Sequence, residues 1–484
     1  MQTRPNESSV AGQSSRRQFL KASGAVATVP LAAALPIQRA AFAAGSDTIK
    51  LGLVGCGGRG TGAASNALGP ECNSDTVLWS MADLFPEKIE GSLKSLVARF
   101  NDRAQVPPER RFIGFQGYRS VIESCDVVLV CTPPWFTSKI TLEAVKANRH
   151  VFFEITGAVD VAAVRRILEA DELSRKNGTS LVCGHVYRFH AGRREAVSRM
   201  QDGQIGEIMA IQCDYMRGWY RPLDPKPEWS ELEYQIRNWN WFTWLNGGHV
   251  GNTLSHNIDS ALWALGDRVV PEAAYGVGGR STHIHPSRGT SFDHEAVVYE
   301  FPGGFMLYGF IRNANGCFNS NRDIYHGTKG RCYYRAFAPP YITDPKGNVV
   351  WRAAKELAAT SVYEQEQIEM LNSVRTGRPL QQGKILAHCA MACVLGQLAV
   401  FTGQRLTWEE VAGSGFAFLP VDEITWDTEP PVKPGANGLY PVPVPGKTTV
   451  KSRMAWLSEG QATDRHDHRL KVQWEALWSG RPAG

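Results

Sequence analysis

Short apolar runs alternate with helix-like periodicity from about Thr48 onwards. The runs read "IKLGLVG", "TVLWSMAD", "DVVLVC", "HVFFE" and "SLVCG", and glycine, proline or polar residues bound each of them. Apolar runs of about four to eight residues between amphipathic segments are typical of buried strands in a parallel sheet. The pattern predicts an α/β fold with a doubly wound parallel sheet over residues 48–182.

The last third of the chain returns to helical patterns. "SVYEQEQIEMLNSVRTG" and "ILAHCAMACVLGQLAVFTG" are segments that we expect to cover a sheet as helices. Beyond Thr428, "EPPVKPGANGLYPVPVPG" predicts an extended proline-rich strap, followed by a polar tail. We therefore assign residues 183–428 to a second domain, whose last helices have room to pack back on the first, and residues 429–484 to the strap and tail.

The N-terminus has the order of a twin-arginine export signal. Arg16 and Arg17 precede Phe-Leu-Lys, a mildly apolar stretch from Ala22 to Ile37, and an Ala-x-Ala cleavage site ending at Ala43. The apolar stretch is shorter than the ~20 residues of a membrane span and contains two prolines. We expect residues 1–43 to be removed, the translocase to be a transient partner, and the mature protein to be periplasmic or extracytoplasmic without stable membrane insertion.

Charge and cysteine content narrow the classes of partner. Residues 1–43 hold five basic and one acidic side chain, so the formal charge of +5 falls to +1 without them. A nearly neutral protein has no electrostatic footprint for nucleic acid. Most of the ten cysteines lie in apolar runs, and we expect buried thiols.

A glycine-rich turn follows the first predicted strand. Gly55, Gly57 and Gly60 fit the G-x-G-x-x-G pattern, with a helix expected to start near Thr61. Asp83 ends the second run, where a carboxylate accepts hydrogen bonds from a ribose and disfavours a 2′-phosphate. The pattern predicts a bound NAD, with NADP less favoured. The expected cofactor-binding residues are Gly55, Gly57, Gly58, Arg59, Gly60, Asp83, Thr132, Pro133 and Glu154.

Motifs along most of the chain resemble the Gfo/Idh/MocA family of oxidoreductases. They are the glycine turn, "CTPPWF", "HVFFE", "GQIGEI", "SHNID" and "HGTKG"; "YQIRNWNWFTWLNGG" resembles exported bacterial members. The resemblance implies an N-terminal Rossmann domain and an α+β C-terminal domain with an open, largely antiparallel sheet. It also implies a carbohydrate substrate, and the strap resembles arms that members lay across a neighbouring subunit, so we expect a homo-oligomer.

The sequence departs from the family at two positions. Members usually carry Glu-Lys-Pro where this chain has Glu154, Ile155 and Thr156, so the lysine that handles the hydroxyl proton is absent. Members also carry a carboxylate four residues before a histidine on one helix; here the positions are Asn252 and His256. Glycoside hydrolase family 109 likewise lacks the lysine.

His256 is our first candidate for the general base, and Tyr187 is a second candidate that would replace the lysine as proton donor. A lone histidine in an apolar helix is also commonly a core residue. Four further residues are expected to bind substrate: Asn252, Arg188, Asp259 and His185. We expect the rate to fall at low pH as the imidazole gains a proton near its ordinary pKa of about 6.5.

Tryptophans and histidines offer weaker signals. Of the six tryptophans between Trp219 and Trp263, we expect one or two to stack on a sugar face. His283 and His285, with Asp293 and His294 nearby, show no convincing metal-ligand spacing, so no metal is predicted.

Three functions fit these observations. NAD is not freely available outside the inner membrane, so an exported enzyme must hold its cofactor tightly and reoxidise it in the same site. A sugar oxidoreductase that oxidises one sugar and reduces another meets this condition. A redox-neutral glycosidase resembling family 109 also meets it, and a nonenzymatic sugar-binding protein is the third alternative.

Overall fold

The computed structural model describes residues 48–72, 75–355, 361–421 and 423–450. The predicted export signal (residues 1–43) and the polar tail from residue 451 lie outside the described residues. All described residues belong to one compact unit.

Six parallel strands form the first sheet, in the order β3-β2-β1-β4-β5-β6. The strands are β1 Ile49–Val54, β2 Thr76–Asp83, β3 Arg111–Ile113, β4 Val127–Val130, β5 His150–Phe153 and β6 Leu181–Cys183. Their connecting helices are α1 Gly58–Ala67, α2 Pro86–Phe100, α3 Gly117–Ser124, α4 Pro134–Lys146 and α5 Val161–Asn177. Every residue of β4 is buried, as expected when helices cover both faces of a parallel sheet. The predicted doubly wound fold is confirmed.

A nine-stranded sheet forms the second layer, in the order β14-β13-β12-β11-β7-β10-β9-β8-β15. Its strands are β7 Ile208–Arg217, β8 Ala273–Gly279, β9 His294–Glu300, β10 Met306–Asn313, β11 Ser320–Gly327, β12 Gly330–Arg335, β13 Ala338–Thr343, β14 Val349–Arg352 and β15 Leu406–Thr407. β7 and β10 pair in parallel and the other neighbours are antiparallel. This arrangement confirms the largely antiparallel second sheet.

Alternation along β10 shows that the second sheet has one covered face and one open face. Leu307 and Ile311 are buried, whereas Tyr308 and Phe310 between them are exposed. Strands with one wet face are expected to alternate in this way. The sheet therefore presents apolar side chains on its uncovered side.

The helices of the second half cover the other face and reach back to the first sheet. They are α6 Ala191–Gln201, α7 Glu231–Arg237, α8 Thr243–Asn246, α9 Gly248–Asn252, α10 Ser255–Ala264, α11 Val362–Arg375, α12 Gly383–Thr402 and α13 Trp408–Gly413. Met370 and Leu371 of α11 share a core with Leu51 and Leu53 of β1. α11 thus ties the end of the chain to the helix that follows the glycine turn.

Helix α12 is long and apolar enough to cross a membrane, with a mean hydropathy of 1.9 over its most apolar window. Within this fold 94% of that window is buried. Its length and composition therefore reflect a core position between the layers.

The described part of the strap packs on its own chain. Gln235 of α7 donates a hydrogen bond to the Val432 carbonyl (2.7 Å), and Arg280 donates one to the Tyr440 carbonyl (3.0 Å). Both Val432 and Tyr440 are buried. These contacts explain the extended conformation without a neighbouring subunit, and the expected oligomer remains a prediction.

Candidate active site

The three motif glycines serve two different purposes in the turn between β1 and α1. Gly55 has φ +92°, and a Cβ added to it would lie 2.5 Å from the Cys131 carbonyl oxygen. A Cβ on Gly60 would lie 1.9 Å from the Gly55 oxygen, so this glycine lets the helix approach the turn. Positions Gly57 and Gly58 instead face open space, with no atom within 4 Å of an added Cβ. The open side at the N-terminus of α1, which begins at Gly58 rather than near Thr61, fits a dinucleotide pyrophosphate.

Asp83 lies beside this turn at the end of β2. Its carboxylate accepts hydrogen bonds from the backbone N–H of Cys56 (2.7 Å) and of Phe85 (3.0 Å). Burial raises the pKa of this carboxyl, and the two N–H donors oppose that shift. A carboxylate fixed at this strand end retains free lone pairs for ribose hydroxyls.

Arg59 is held by two carboxylates. Its Nε lies 2.6 Å from Glu154 Oε1 and its Nη2 lies 2.6 Å from Glu366 Oε1, while its guanidinium stands over the Tyr363 ring. Glu366 is fully buried, and burial raises its pKa well above the usual range. Arg59 and Glu154, both expected to contact cofactor, are thus engaged with each other and with a residue of α11 that the sequence did not point to.

The remaining expected cofactor residues lie at the end of β4. The Thr132 hydroxyl is 3.1 Å from the Thr137 hydroxyl, and Pro133 is the N-cap residue of α4. β4 lies between β1 and β5 in the sheet. Thr132, Pro133 and Glu154 therefore share the carboxyl edge of the sheet with the glycine turn, where ligands bind in open α/β sheets.

The expected single helix through Asn252 and His256 is wrong. Asn252 is the last residue of α9, and His256 is the second residue of α10. Between them the N–H groups of Thr253 and Leu254 both donate to the His249 carbonyl, and Thr253 leaves helical geometry. Asn252 donates a long hydrogen bond of 3.5 Å to the Asn240 side chain. The i, i+4 helical face is therefore interrupted.

His256 and Tyr187 lie side by side with opposite preferences for a proton. Their ring centroids are 5.3 Å apart. Burial, with a contribution from His185, lowers the pKa of His256 to about 3, so its imidazole is neutral at physiological pH. Burial raises the pKa of Tyr187, so its phenol keeps its proton. At neutral pH the imidazole can therefore accept a proton and the phenol can donate one.

Tyr363 connects the glycine turn to this pair, because it packs against the cluster that contains Tyr187 and its ring lies under the Arg59 guanidinium. The Arg59 guanidinium contributes to the lowered pKa of His256. The expected loss of rate near pH 6.5 is consequently revised, because the imidazole stays neutral far below that pH. Asn321 of β11, another residue that the sequence did not suggest, donates a hydrogen bond of 3.2 Å to the Tyr187 hydroxyl.

Arg188 and Asp259 pair with each other rather than standing open to substrate. Arg188 Nε lies 2.9 Å from both Asp259 oxygens, and Nη2 lies 2.6 Å from Asp267 Oδ1. Both Arg188 and Asp259 are buried. His185 is fully buried 3.7 Å from Asp259, and burial lowers its pKa to about 3. These contacts give the three side chains partners within the protein, and their expected substrate contacts stay a prediction.

One group of potential metal ligands converges within the part of the chain that the structure describes: His185, Asp259 and Cys389. Arg188 already neutralises its carboxylate. His283, one of the histidines considered as a metal ligand in the sequence, contacts the Asn313 carbonyl oxygen at 2.8 Å instead. All ten cysteines are described and free, and eight of them are buried.

The tryptophans divide into packed and half-buried residues. Trp241 and Trp244 are buried, whereas Trp219 is half-buried. The Arg288 guanidinium lies over Trp219 at 4.2 Å and over Trp241 at 4.7 Å. These stacking contacts account for two of the rings without a ligand.

Comparison with known proteins agrees with this architecture. Residues 194–333 match the model of the GFO/IDH/MocA C-terminal domain. A glycosyl hydrolase family 109 protein of Shewanella pealeana is 22% identical over 326 residues, which cover 62% of this chain and 67% of that protein. The myo-inositol 2-dehydrogenase of Thermotoga maritima is 23% identical over 290 residues, covering 59% of this chain and 75% of that one.

Two solved structures share the fold. One is a levoglucosan dehydrogenase in complex with NADH and levoglucosan, with a TM-score of 0.57, 16% identity, and coverage of 74% of this chain and 99% of that one. The other is an aldose-aldose oxidoreductase from Caulobacter crescentus complexed with glycerol, with a TM-score of 0.57, 19% identity and the same coverage.

Proposed function

We propose that this chain is a member of the Gfo/Idh/MocA family, whose C-terminal domain model matches residues 194–333, and that it is an NAD-dependent oxidoreductase acting on a ring hydroxyl of a sugar or sugar derivative. One observation carries the proposal: a neutral imidazole, His256, lies against a protonated phenol, Tyr187, beside the turn that fits a dinucleotide. The relatives are named as dehydrogenases and glycosidases, which argues against a nonenzymatic sugar-binding protein.

The proposed roles follow from the two protonation states. When bound, the dinucleotide supplies a nicotinamide that accepts or returns the hydride. His256 takes the proton of the hydroxyl whose carbon loses hydride. When a second sugar is reduced, Tyr187 donates a proton to its carbonyl oxygen and regains one from the protonated His256, so that both groups return to their starting states. Both groups already hold the protonation state that each role needs at neutral pH, so neither must be titrated first.

The identity and retention of the cofactor are also proposals. Asp83, fixed beside the glycine turn, favours NAD because a 2′-phosphate would meet its negative charge. Twin-arginine export to the periplasm, proposed from residues 1–43, requires that NAD travel with the protein. The sugar that is oxidised and the second sugar that is reduced would then react with the same bound cofactor molecule.

A second candidate is redox-neutral glycoside cleavage. Ile155 stands where dehydrogenases of the resembled family usually carry a lysine. In addition, several relatives are named glycosyl hydrolase family 109 proteins. In that chemistry the C3 hydroxyl is oxidised to a ketone, which acidifies the C2 proton. A base removes this proton, the aglycone leaves, water adds, and the ketone is reduced again. No net oxidation results.

One experiment separates the two reactions. Purified protein is incubated with a panel of sugars and with matched glycosides, while absorbance at 340 nm and released aglycone are followed. Reduction of the bound cofactor by a free sugar, reversed by a second sugar, supports the oxidoreductase. Release of aglycone without net absorbance change supports the glycosidase, and the absence of both on the whole panel contradicts the proposal.

We also propose a homo-oligomer that forms through the open face of the second sheet. Tyr275, Val277, Tyr308 and Phe310 are exposed there. A cavity of about 440 Å³ on this face is lined by Ala210, Ile211, Gln212, Tyr308, Phe310 and His326. Contiguous exposed apolar surface of this kind commonly marks an interaction site.

A further inference from the structure

Arg193 is a buried cation that stacks on Tyr187, the proposed acid, and is bonded to the helix of His256, the proposed base. It belongs to α6 and is 1% exposed. Its Cζ lies 3.6 Å from the centroid of the Tyr187 ring, and the Tyr334 ring lies on it at 4.4 Å. The guanidinium plane is therefore in contact with the ring of the proposed proton donor.

The same guanidinium is connected to His256 by hydrogen bonds. Arg193 Nη1 donates to the Ser260 hydroxyl (3.2 Å), which in turn donates to the His256 carbonyl (2.9 Å). Nη2 donates to the Ala336 carbonyl at 2.6 Å. These bonds leave the guanidinium faces free for the aromatic rings.

A buried carboxylate completes the connection. Asp323 Oδ2 lies 3.5 Å from Arg193 Nη1, and Asp323 Oδ1 accepts a hydrogen bond of 2.6 Å from Asn257 Nδ2. Asn257 follows His256 on α10. Arg193 thus reaches that helix at two positions that follow His256, directly at Ser260 and through Asp323 at Asn257.

Such an arrangement is costly if it only fills space. Burying a guanidinium carries a large desolvation penalty, and apolar side chains of similar volume commonly serve stability as well or better. A planar guanidinium can stack on a ring and donate in its plane at the same time, which a lysine ammonium cannot do. The structure uses both properties, one toward Tyr187 and the other toward the helix of His256.

We propose that Arg193 is a positioning residue that fixes Tyr187 and His256 relative to each other. The inference rests on the proposed function, since it acts through the proposed acid and base. Misplacing a catalytic group by about 1 Å costs roughly 10²-fold in rate. Loss of Arg193 should therefore lower turnover while leaving substrate and cofactor binding intact.

The test compares Arg193→Lys and Arg193→Met with Arg194→Met as a matched control. Arg194 is the next residue and pairs at the surface with Glu369. We expect Arg193→Met to lower kcat for reduction of the bound cofactor by about 10²-fold with KM unchanged, and Arg193→Lys to recover part of the loss. Arg194→Met should stay within about twofold. Circular dichroism and the content of bound dinucleotide show whether each variant folds. If Arg193→Met does not fold, the test relies on Arg193→Lys, which keeps the positive charge facing Asp323.

A double-mutant cycle with Tyr187→Phe shows whether Arg193 acts through the phenol. In the Tyr187→Phe background, Arg193→Lys should add less than about threefold, because the phenol hydroxyl whose position relative to His256 it fixes is gone. A full additional loss, or no loss from either Arg193 variant alone, would overturn the inference while leaving the proposed function standing. Full turnover by Tyr187→Phe alone would refute the proposed acid and this inference with it.

A readout without turnover uses protein labelled with ¹³C at the tyrosine ring. The Tyr187 resonance, assigned by its loss in Tyr187→Phe, should shift in Arg193→Lys and not in Arg194→Met. An unshifted resonance would contradict the stacking contact on which the proposal depends.

Discussion

Substituting two glycines of one turn should separate folding from cofactor binding. Gly57 has φ −73° and ψ −173°, a conformation that alanine adopts freely, and its added methyl meets no atom within 4 Å. Gly60 faces the opposite situation, since its methyl would lie 1.9 Å from the Gly55 carbonyl oxygen. We therefore expect Gly57→Ala to fold normally and bind dinucleotide poorly, and Gly60→Ala to be unstable.

The magnitudes follow from these distances. Contacts to a real Cβ are essentially never under 3.0 Å, so the Gly60→Ala turn must move by roughly 1 Å, and overpacking of this kind costs about 1–3 kcal/mol or more. At Gly57 the poorer N-cap costs up to about 1 kcal/mol, which the reduced entropy of the unfolded chain offsets by about 0.4–1 kcal/mol. A methyl between backbone and pyrophosphate should weaken binding at least about tenfold, or ~1.4 kcal/mol.

The assay measures the free energy of unfolding in denaturant, the dinucleotide content after dialysis, and NADH affinity by fluorescence. Gly91→Ala is the control, because Gly91 lies in α2 with no atom within 4 Å of an added methyl. It should gain up to about 1 kcal/mol from helix propensity with unchanged affinity. If Gly57→Ala holds dinucleotide as well as the parent protein, the open side of the turn is not the pyrophosphate site.

Four further outcomes are expected. Asp83→Ala should lower NAD content after dialysis, and unchanged occupancy with unchanged preference for NAD over NADP would place this carboxylate outside the ribose site. His256→Ala should keep its fold and cofactor but lose turnover by about 10²- to 10⁴-fold, and the parent rate should not fall between pH 7 and pH 5 through this imidazole, whose pKa is about 3. Burial lowers the pKa of His249 to about 3, so its contribution to stability is complete above about pH 6.5 and is lost as the pH falls toward 3. Between pH 7.5 and 5.5, His249→Gln should therefore lose about 1.4 kcal/mol less unfolding free energy than the parent protein, and equal losses would contradict the shift. Phe310→Glu on the open sheet face should reduce the mass in light scattering to that of a monomer, whereas an unchanged mass would place the interface elsewhere.

The first sheet and its glycine turn could be predicted from short stretches of the sequence. Gly55 and Gly60 are required by backbone geometry within a few residues, so their spacing carries the information. The strands of the first sheet are apolar throughout because both faces are covered, so they can be recognised in the sequence as short apolar runs. The neighbourhood of Asp83 follows from the same strand order.

Residues that come from distant segments were not predictable. Arg59 and Glu366 are separated by 307 positions, and a lone glutamate in an amphipathic helix is ordinarily a solvated residue. Arg193 in "GRRE" has the same surface-like context, yet it is buried and Arg194 is not. The interrupted helix before His256 was missed because the bend at Thr253 depends on backbone hydrogen bonds that no residue type there requires.

Helix α12 also limits how the chain can reach another compartment. Insertion machinery recognises a segment of this length and hydropathy in an unfolded chain, whatever its position in the folded protein. A chain threaded across a bilayer before folding would present α12 as a segment long and apolar enough to span it. Once the domains have formed, the same segment is shielded and the particle can cross as a whole. If the chain is exported as proposed from residues 1–43, a route that carries the folded protein keeps this helix shielded throughout.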